Sequence, residues 1–231
     1  MKFRLSGFRA DWRNLLMIHF AVLPERLQSQ VPLPLDTYNG EAFVSLVFFR
    51  QENLSLWRAG DWTRILLRPL SDHHFVNLRT YVKVGQEVGI YFLREWIDNW
   101  PGRIVGPLTY GLPYRLGRHF QNNEEEGTFE ALLRAGPNRL QVRARYKKEA
   151  KPAAPEGTLF HFLHERYHAY TKRLQQTLRF TVEHPPWEMK KCEVNLQAHG
   201  PDLDILRSGC LVESAYTCGF RGVHMSFPKR V

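Results

Sequence analysis

The chain has 231 residues, of which 43% are hydrophobic and 24% are charged, and its formal net charge is +9. This composition is ordinary for a globular protein and is sufficient to bury a core without disulfide bonds. No apolar run approaches the roughly 20 residues of a membrane-spanning helix, and Asp11 and Arg13 interrupt any signal-peptide core near the start of the sequence. No membrane partner is therefore expected.

Cysteine usage and charge indicate the compartment and the kind of partner. The cysteines Cys192, Cys210 and Cys218 form no C-x-x-C pair, so they are interpreted as reduced thiols of a cytoplasmic protein rather than as a disulfide framework or a zinc knuckle. The positive charge either serves solubility alone or favours anions: nucleic acid, acidic lipid, or small carboxylates and phosphates. Nucleic acid is not the expected partner because no groove-reading motif accompanies the charge; a basic surface stripe would favour it.

Most of the chain is predicted to form strands. The segment "AFVSLVFF" is a continuous apolar run, which suits a strand that is covered on both faces. Turn signals at residues 85–87 and 136–138 predict two hairpins. The predicted strands and hairpin segments cover residues 42–49, 63–70, 75–82, 84–93, 128–135 and 140–148.

Two helices are predicted among these strands. Asn99 is placed to cap a short helix over residues 101–109, which Gly111 and Pro113 end. A longer helix is predicted over residues 158–174.

The balance of elements sets the fold class. Many strands with few helices predict a mainly β, α+β fold, built as a β-barrel or a curled sheet. The loop 149–157 resembles a linker but is too short to separate two domains. Residues 1–231 are therefore predicted to form a single domain.

The strand 75–82 alternates, and Arg79 and Tyr81 fall on the same face as Asn77 and Lys83. One interpretation is a half-exposed strand whose polar face contacts water. The other places Arg79 inside a barrel, where its planar guanidinium could hold a carboxylate. The pattern leaves both interpretations open.

The predicted helix 158–174, with Thr158 as its N-cap, carries an arginine on its apolar side. Arg166 lies within the face that should contact the core, so it either extends its charge to water or pairs with a buried group. His161, His164 and His168 fall on the opposite side, where surface histidines are expected.

The segment "HERYH" matches the zinc-protease motif H-E-x-x-H, for which Glu183 or Glu188 could serve as a third ligand. Because His164 and His168 fall on the predicted solvated face, neither a metal site nor another cofactor is expected. Adventitious metal binding by the surface histidines remains compatible with this interpretation.

Four segments, taken in order, resemble the YqjF-like family of uncharacterised bacterial proteins. They are "NLRTYV", "GLPYRL", "FLHERYHAY" and "HPPWEM", and the resemblance extends over nearly the whole chain. In that family the helix motif is more like F-L-T-E-R-Y. His164 departs from this pattern, which further weakens the zinc interpretation.

The family is more distantly similar to acetoacetate decarboxylase, which implies a closed β-barrel with a central cavity. The decarboxylase carries a G-x-P-K-K segment whose first lysine forms a Schiff base with the substrate, and the matching segment here is "GLPYR". Tyr114 stands in place of that lysine, and Arg115 in place of its cationic neighbour. Since a phenol cannot form an imine and a guanidinium stays protonated, amine chemistry is not expected. Lys83 is the only nearby lysine considered as a replacement.

Two functions are compatible with these features. The first is a cavity protein that binds a small anionic or carbonyl-bearing molecule. Arg79, Arg115 and Arg166 would supply positive charge, and Tyr81 and Tyr114 would supply hydroxyl groups. The alternative is a lyase-like enzyme that acts on a small keto or carboxylic acid without a Schiff base, with Tyr114 as a general acid polarised by Arg115.

Overall fold

The computed structural model describes residues 7–122, 127–150 and 154–231. Within these ranges, one thirteen-stranded sheet is interrupted by five short α-helices and two 3-10 turns. The strands are β1 Gly7–Val22, β2 Ala42–Leu56, β3 His73–Val84, β4 Glu87–Ile97, β5 Tyr114–Leu116, β6 Arg118–Asn122, β7 Thr128–Ala135, β8 Asn138–Tyr146, β9 His168–Arg173, β10 Gln176–Glu183, β11 Lys190–His199, β12 Cys210–Ser226 and β13 Lys229–Arg230. The helices are α1 Pro24–Gln28, α2 Thr63–Leu67, α3 Trp100–Tyr110, α4 Leu159–His164 and α5 Asp204–Arg207, and the 3-10 turns cover Arg68–Leu70 and Pro201–Leu203.

Seven strands curl into a ring in the order β12, β1, β2, β3, β4, β9 and β10, which we call the strand ring. Its neighbours are antiparallel except β4 and β9, which are parallel. The ring closes where β10 meets β12, through the pairs Val182–Met225 and Glu183–His224. Because closure rests on two residue pairs, the sheet is curled rather than an evenly paired barrel. The predicted mainly β fold with a curled sheet is confirmed.

Strands β6, β7, β8 and β11 continue the sheet beyond β12 and pack on the outside of the strand ring. We call these four strands the outer layer. In β8, Leu140 and Val142 are buried in a cluster with ring residues such as Leu78, while Arg143 and Arg145 are exposed. This regular alternation is typical of a strand with one buried and one solvated face.

Strand β3 is buried on both faces because the outer layer covers one face and the ring interior lies on the other. Leu78 packs with the outer layer, and Arg79 and Tyr81 belong to the interior face. The interpretation of β3 as a half-exposed strand is therefore wrong. Lys83, near the end of β3, is exposed and does not line the interior.

The strand predicted over residues 63–70 is wrong, because this segment forms α2 and a 3-10 turn. β2 and β3 pair directly with each other, so the chain between them loops away from the sheet. The hydroxyl of Thr63 accepts from the backbone N–H of Leu56 at 3.0 Å and donates to the Gly60 carbonyl at 2.8 Å, which fixes the turn. Pro69 lacks the N–H that a central strand needs.

Helix α3 forms close to its predicted bounds. The Gly102 N–H donates to the Asn99 side chain at 2.6 Å, and Gly111 adopts the left-handed conformation that ends the helix. Both caps were predicted from the sequence. None of the helices in the described ranges is long and apolar enough to cross a membrane.

The helix predicted over residues 158–174 is wrong in length, because α4 ends at His164. Thr158 caps it as predicted, accepting from the His161 N–H at 3.2 Å. Beyond Glu165 the chain becomes β9, which pairs with β4 and β10. The strand pairing of β9 with β4 and β10 outweighs the helical preference that the segment shows when its sequence is considered alone. Within the predicted linker 149–157, residues 151–153 lie outside the described residues.

Candidate ligand-binding cavity

A cavity of about 140 Å³ lies inside the strand ring. All seven ring strands contribute to its wall, and β5 and α3 complete it. Much of the wall is apolar and aromatic: Phe8, Trp12, Phe49, Phe75, Phe92 and Phe180. Polar side chains are set into this surface: Gln51, His73, Asn77, Arg79, Glu95, Tyr114, Arg166 and His168. An apolar wall with a few polar groups is the usual composition of a small-molecule site.

Sheet register brings three of these polar residues into one row. Asn77 on β3 pairs with Glu95 on β4, and Glu95 pairs with Tyr114 on β5. Arg79 lies two residues beyond Asn77, on the same face of β3. The pairing of β3 and β4 shifts between Leu78 and Arg79. The row therefore depends on strand pairing, and sequence alternation alone could not reveal it.

Arg79 is a buried cation without a carboxylate partner in the described chain. Arg79 is only 8% exposed, and its Nη2 contacts the Met17 sulfur at 3.6 Å. Its Nε has no hydrogen-bond partner among the described residues. Burial lowers the pKa of Arg79 below its ordinary value, but a guanidinium remains charged at neutral pH. The cavity therefore carries a positive charge without an ion-pair partner in the described chain, although the Tyr81 side chain also interacts with it.

Glu95 lies beside this charge and is 2% exposed. Its Oε2 atom has no partner in the described ranges. Burial raises the pKa of Glu95 well above its ordinary value, and the charge of Arg79 opposes that rise. The arrangement favours a protonated carboxyl group that can donate a hydrogen bond. Asn77 adds a buried Oδ1 that also lacks a partner within the described chain.

Tyr114 lines the cavity, where α3 and β5 meet. A Cβ atom on Gly106 would lie 2.2 Å from the Tyr114 ring, so a glycine at this point of α3 permits the packing. Burial raises the pKa of Tyr114 well above its ordinary value, and nearby Glu95 raises it further. The phenol of Tyr114 therefore stays protonated at neutral pH.

Arg115 does not line the cavity, contrary to the sequence prediction. Successive residues of β5 point to opposite sides, so Tyr114 and Arg115 diverge. The Arg115 side chain is 51% exposed and donates to Asp202 at 2.7 Å. Asp202 also accepts from Arg94 and Asn138, so Arg115 belongs to a surface cluster. It cannot polarise Tyr114 from there as the enzyme interpretation required.

Arg166 lines the cavity but is already paired. Its Nη1 donates to the Asp36 carboxylate at 2.6 Å and its Nε to the Phe162 carbonyl at 2.7 Å. The guanidinium carbon lies 4.1 Å from the Phe162 ring centroid. Of the two interpretations offered for Arg166, pairing is the one observed. Its charge is therefore largely offset, in contrast to that of Arg79.

Tyr81 belongs to a buried hydrogen-bond network next to the cavity rather than to the cavity wall. Its hydroxyl donates to the Leu163 carbonyl at 2.9 Å and lies 2.7 Å from the Ser45 hydroxyl. Ser45 contacts His19 at 2.7 Å, and His19 contacts His164 at 3.3 Å between their Nε2 atoms. These contacts occupy the Tyr81 hydroxyl, so its position does not support the predicted role of supplying a hydroxyl to the ligand.

The expected surface position of His164 is also wrong. His164 is 1% exposed, and its Nδ1 donates to the Phe160 carbonyl at 2.8 Å. Burial lowers its pKa to about 4. His168 lies on β9 and lines the cavity, so the two histidines do not share a helix as H-E-x-x-H requires. Among the described residues, no group of three or more potential ligands is placed to hold a metal ion.

Glu95 and Asn77 were not predicted as site residues. Glu95 stands in "YFLREWI", where the charged pair Arg94 and Glu95 interrupts an apolar run, and this local anomaly is a usable signal. Asn77 lay within a recognised alternation, but nothing separated it from a solvated side chain. Only the register that sets both beside Arg79 shows their common location.

Comparisons with known proteins agree with this architecture. A relative, "Uncharacterized protein YqjF" of Bacillus subtilis (strain 168), is 27% identical over 196 residues, which cover 83% of this chain and 78% of the relative. The crystal structure of acetoacetate decarboxylase from Legionella pneumophila matches with a TM-score of 0.70 at 15% identity, over 98% of this chain and 87% of that chain. The enduracididine biosynthesis enzyme MppR complexed with pyruvate matches with a TM-score of 0.68 at 11% identity, over 100% of this chain and 91% of that chain.

At these identities the two structures establish a shared fold. The family model is more direct, since the DUF2071 family, described as an uncharacterized conserved protein, matches residues 9–203. This range includes most of the strand ring and every residue of the polar row. The chain therefore belongs to the DUF2071 family.

Proposed function

We propose that the protein binds a small anionic or carbonyl-bearing molecule in the cavity of the strand ring, with Arg79 as its anchor. The observation that carries this proposal is the buried Arg79 guanidinium, which forms no ion pair in the described chain and leaves its Nε without a hydrogen-bond partner there. Leaving a buried charge uncompensated costs several kcal/mol, so such a group is expected to be satisfied by a ligand.

The size of the cavity limits the ligand. Its volume of about 140 Å³ is close to that of an engineered cavity, about 150 Å³, that holds benzene. A ligand of about six non-hydrogen atoms is therefore expected. A carboxylate would accept from the Arg79 guanidinium, and a second oxygen would accept from the Glu95 carboxyl group. The pyruvate complex of the structurally similar MppR supports a small oxygen-rich ligand in this fold.

Calorimetry with a series of short carboxylates, acetate, propionate and pyruvate, tests the proposal, with acetamide as the neutral control. Replacing Arg79 by lysine keeps the charge but removes the planar fork, so binding should weaken by at least about tenfold. Arg115→Lys is the matched control, because this arginine lies in the surface cluster and should leave affinity unchanged. Equal affinities for carboxylates and acetamide, or equal losses in both variants, would refute the assignment of Arg79.

A lyase-like enzyme is the second candidate, and one observation favours it. Glu95 and Tyr114 adjoin each other beside Arg79, and burial raises the pKa of both groups, which favours their protonated forms. Such groups can donate protons to a developing anion. Turnover of 2-oxo or 3-oxo acids, followed by NMR, should then fail in Tyr114→Phe and Glu95→Gln while binding persists. No described cavity-lining residue is a lysine, so borohydride should trap no adduct during turnover.

A further inference from the structure

The solvated face of the outer layer carries basic residues directly opposite one another across all four strands. Arg118 on β6 pairs with Arg134 on β7, and Arg134 pairs with Arg139 on β8. Arg139 in turn pairs with His199 on β11. All four are exposed to water, and we call them the arginine row. Like charges directly opposite each other destabilise a sheet, so the row opposes folding and indicates a negatively charged partner.

The arginines of the row have no carboxylate partner within the described ranges. None of the ion pairs formed there involves Arg118, Arg134 or Arg139. Arg139 donates from its Nη1 to the carbonyls of Gly136 at 2.5 Å and Asn138 at 2.9 Å. These neutral acceptors hold the guanidinium in place without offsetting its charge.

The acidic residues near this end of the outer layer are already paired. They are Asp98, Asp202 and Asp204. Asp202 accepts from Arg94 and Arg115, each at 2.7 Å. Asp98 accepts from the His74 side chain at 2.8 Å, and Asp204 lies 3.6 Å from Arg207. Three arginines outside the row therefore balance these three aspartates, and the charge of the row is left over.

The glutamates of the outer layer lie farther along the strands. Glu130 is bound to Arg143 at 2.6 Å, and Glu193 lies directly opposite Arg145. The acidic run 124–126 follows the end of β6 and lies outside the described residues. The row crosses β6 at its other end, and the four residue steps of this strand span about 13 Å. This distance exceeds the Debye length of about 10 Å at 0.1 M salt, so positive charge is concentrated at the row.

The shape and chemistry of the row distinguish among kinds of partner. Neighbouring strands lie about 4.8 Å apart, so the four positions extend over about 14 Å, which suits an extended polyanion better than a single phosphate group. Arginine binds phosphate through its planar fork. The next row supplies the exposed amides of Gln141 and Gln197, which can bond to the backbone of a nucleic acid.

Other partners fit this face less well. A bilayer surface requires exposed apolar side chains, and within the described chain β7, β8 and β11 expose no large one. A single-stranded nucleic acid requires stacking rings, which these three strands do not expose either. A second copy would place arginine against arginine. The rigid, regularly charged backbone of a DNA duplex is the partner that remains.

We propose that the arginine row binds the phosphate backbone of duplex DNA without sequence specificity, with one phosphate for each of its three arginines. This differs from the expectation that nucleic acid is not a partner, which rested on the lack of a groove-reading motif. A surface that contacts only phosphates needs no such motif. The proposal uses the solvated face of the outer layer and does not depend on the ligand of the cavity.

Fluorescence anisotropy of labelled DNA duplexes, of about 20 base pairs and two unrelated sequences, tests the proposal. Both sequences should bind equally, and three phosphate contacts predict that log affinity falls against log salt with a slope of about −2.7. Arg134→Gln combined with Arg139→Gln should reduce the slope to about −0.9 and weaken binding about 60-fold at 0.1 M salt.

The matched control is Arg143→Gln combined with Arg145→Gln. It removes the same charge from the same face of β8 and its neighbours, at positions that face glutamates. It should leave the slope unchanged, and an equal loss in both double variants would overturn the proposal, because binding would then follow net charge. Absence of binding at low salt, equal competition by polyglutamate, or tighter binding of single-stranded DNA would also overturn it.

A folding measurement separates binding from structure. Arg134→Gln should raise the denaturant midpoint of unfolding, because it removes repulsion from Arg118 and Arg139 on either side. A lower midpoint would show that the arginine row stabilises the sheet, and it would overturn the inference that the row is retained for a partner.

Discussion

The outer layer and the interior of the strand ring are both buried, yet they contain different kinds of side chain. Between the outer layer and the ring, the core consists of regularly alternating apolar residues such as Phe129, Leu140 and Val142. In the interior, Arg79 and Glu95 are also buried but retain polar atoms without partners in the described chain. Each such atom costs about 1–3 kcal/mol relative to a satisfied one.

This difference separates residues that stabilise the fold from residues that the fold must support. The apolar contacts of the outer layer favour folding through burial alone. The row of Asn77, Glu95 and Tyr114, with Arg79 beside it, opposes folding, and under the proposed function a ligand would complete its hydrogen bonds. The comparison therefore predicts opposite consequences for stability and for binding in the two regions.

The largest expected effect is in the outer layer. Phe129 is fully buried, and its ring lies 5.9 Å from that of Phe48 in the strand ring. Phe129→Ala should lower the free energy of unfolding by about 3–5 kcal/mol, because it removes apolar contacts and leaves a cavity. Denaturant unfolding followed by tryptophan fluorescence and circular dichroism measures this loss. If the chain is one domain as predicted, both probes should report a single transition.

A conservative partner variant sharpens this result. Phe129→Leu should recover most of the lost stability, and ligand affinity of the folded variants should match that of the wild type. Two separate transitions, with the outer layer melting first, would contradict the single-domain prediction. Reduced ligand affinity in folded Phe129→Ala would contradict the proposed division, in which the buried face of the outer layer serves stability and the ring interior serves ligand binding.

A smaller effect on stability, of the opposite sign, is expected at Arg79. Arg79→Met replaces a buried cation by an apolar side chain of similar length, so the free energy of unfolding should rise, by on the order of 1–4 kcal/mol. Carboxylate binding should be lost in the same protein. Arg166→Met is the matched comparison. It leaves the Asp36 carboxylate without its ion-pair partner and should therefore destabilise the fold. Destabilisation by Arg79→Met would show that Arg79 serves structure rather than a ligand.

Local signals explain which parts of the fold could be predicted from sequence. The caps at Asn99 and Thr158 and the turn at Gly111 depend on residues adjacent in the chain, and all three are observed. The segments 63–70 and 158–174 were misassigned because sheet pairing elsewhere decides them. β2 pairs directly with β3, which excludes the first segment from the sheet. The end of the second segment forms β9, which pairs with β10.

The candidate site was predicted only in part for the same reason. Arg79 and Tyr114 do line one cavity, as alternation and the family resemblance suggested. Arg115 was misplaced because β5 turns adjacent residues to opposite sides, and the pairing of Arg166 depends on Asp36, 130 residues away.

The smallest expected effect is a pH dependence of the free energy of unfolding that arises in the ring interior and not in the outer layer. Burial raises the pKa of Glu95 well above 4.5, so the folded chain retains this proton to higher pH than the unfolded chain does. Its contribution to stability is complete below the unfolded pKa and is lost as pH rises toward the folded pKa, at up to about 1.4 kcal/mol per pH unit. Relative to Glu95→Gln, the wild type should therefore lose stability with rising pH in denaturant titrations. The control variant is Glu130→Gln. It removes a carboxyl group from the outer layer, namely a partly exposed carboxylate of β7 that pairs with Arg143. Parallel stability profiles for the wild type and Glu95→Gln would show that Glu95 ionises inside the ring, and it could then no longer donate a proton to a bound carboxylate.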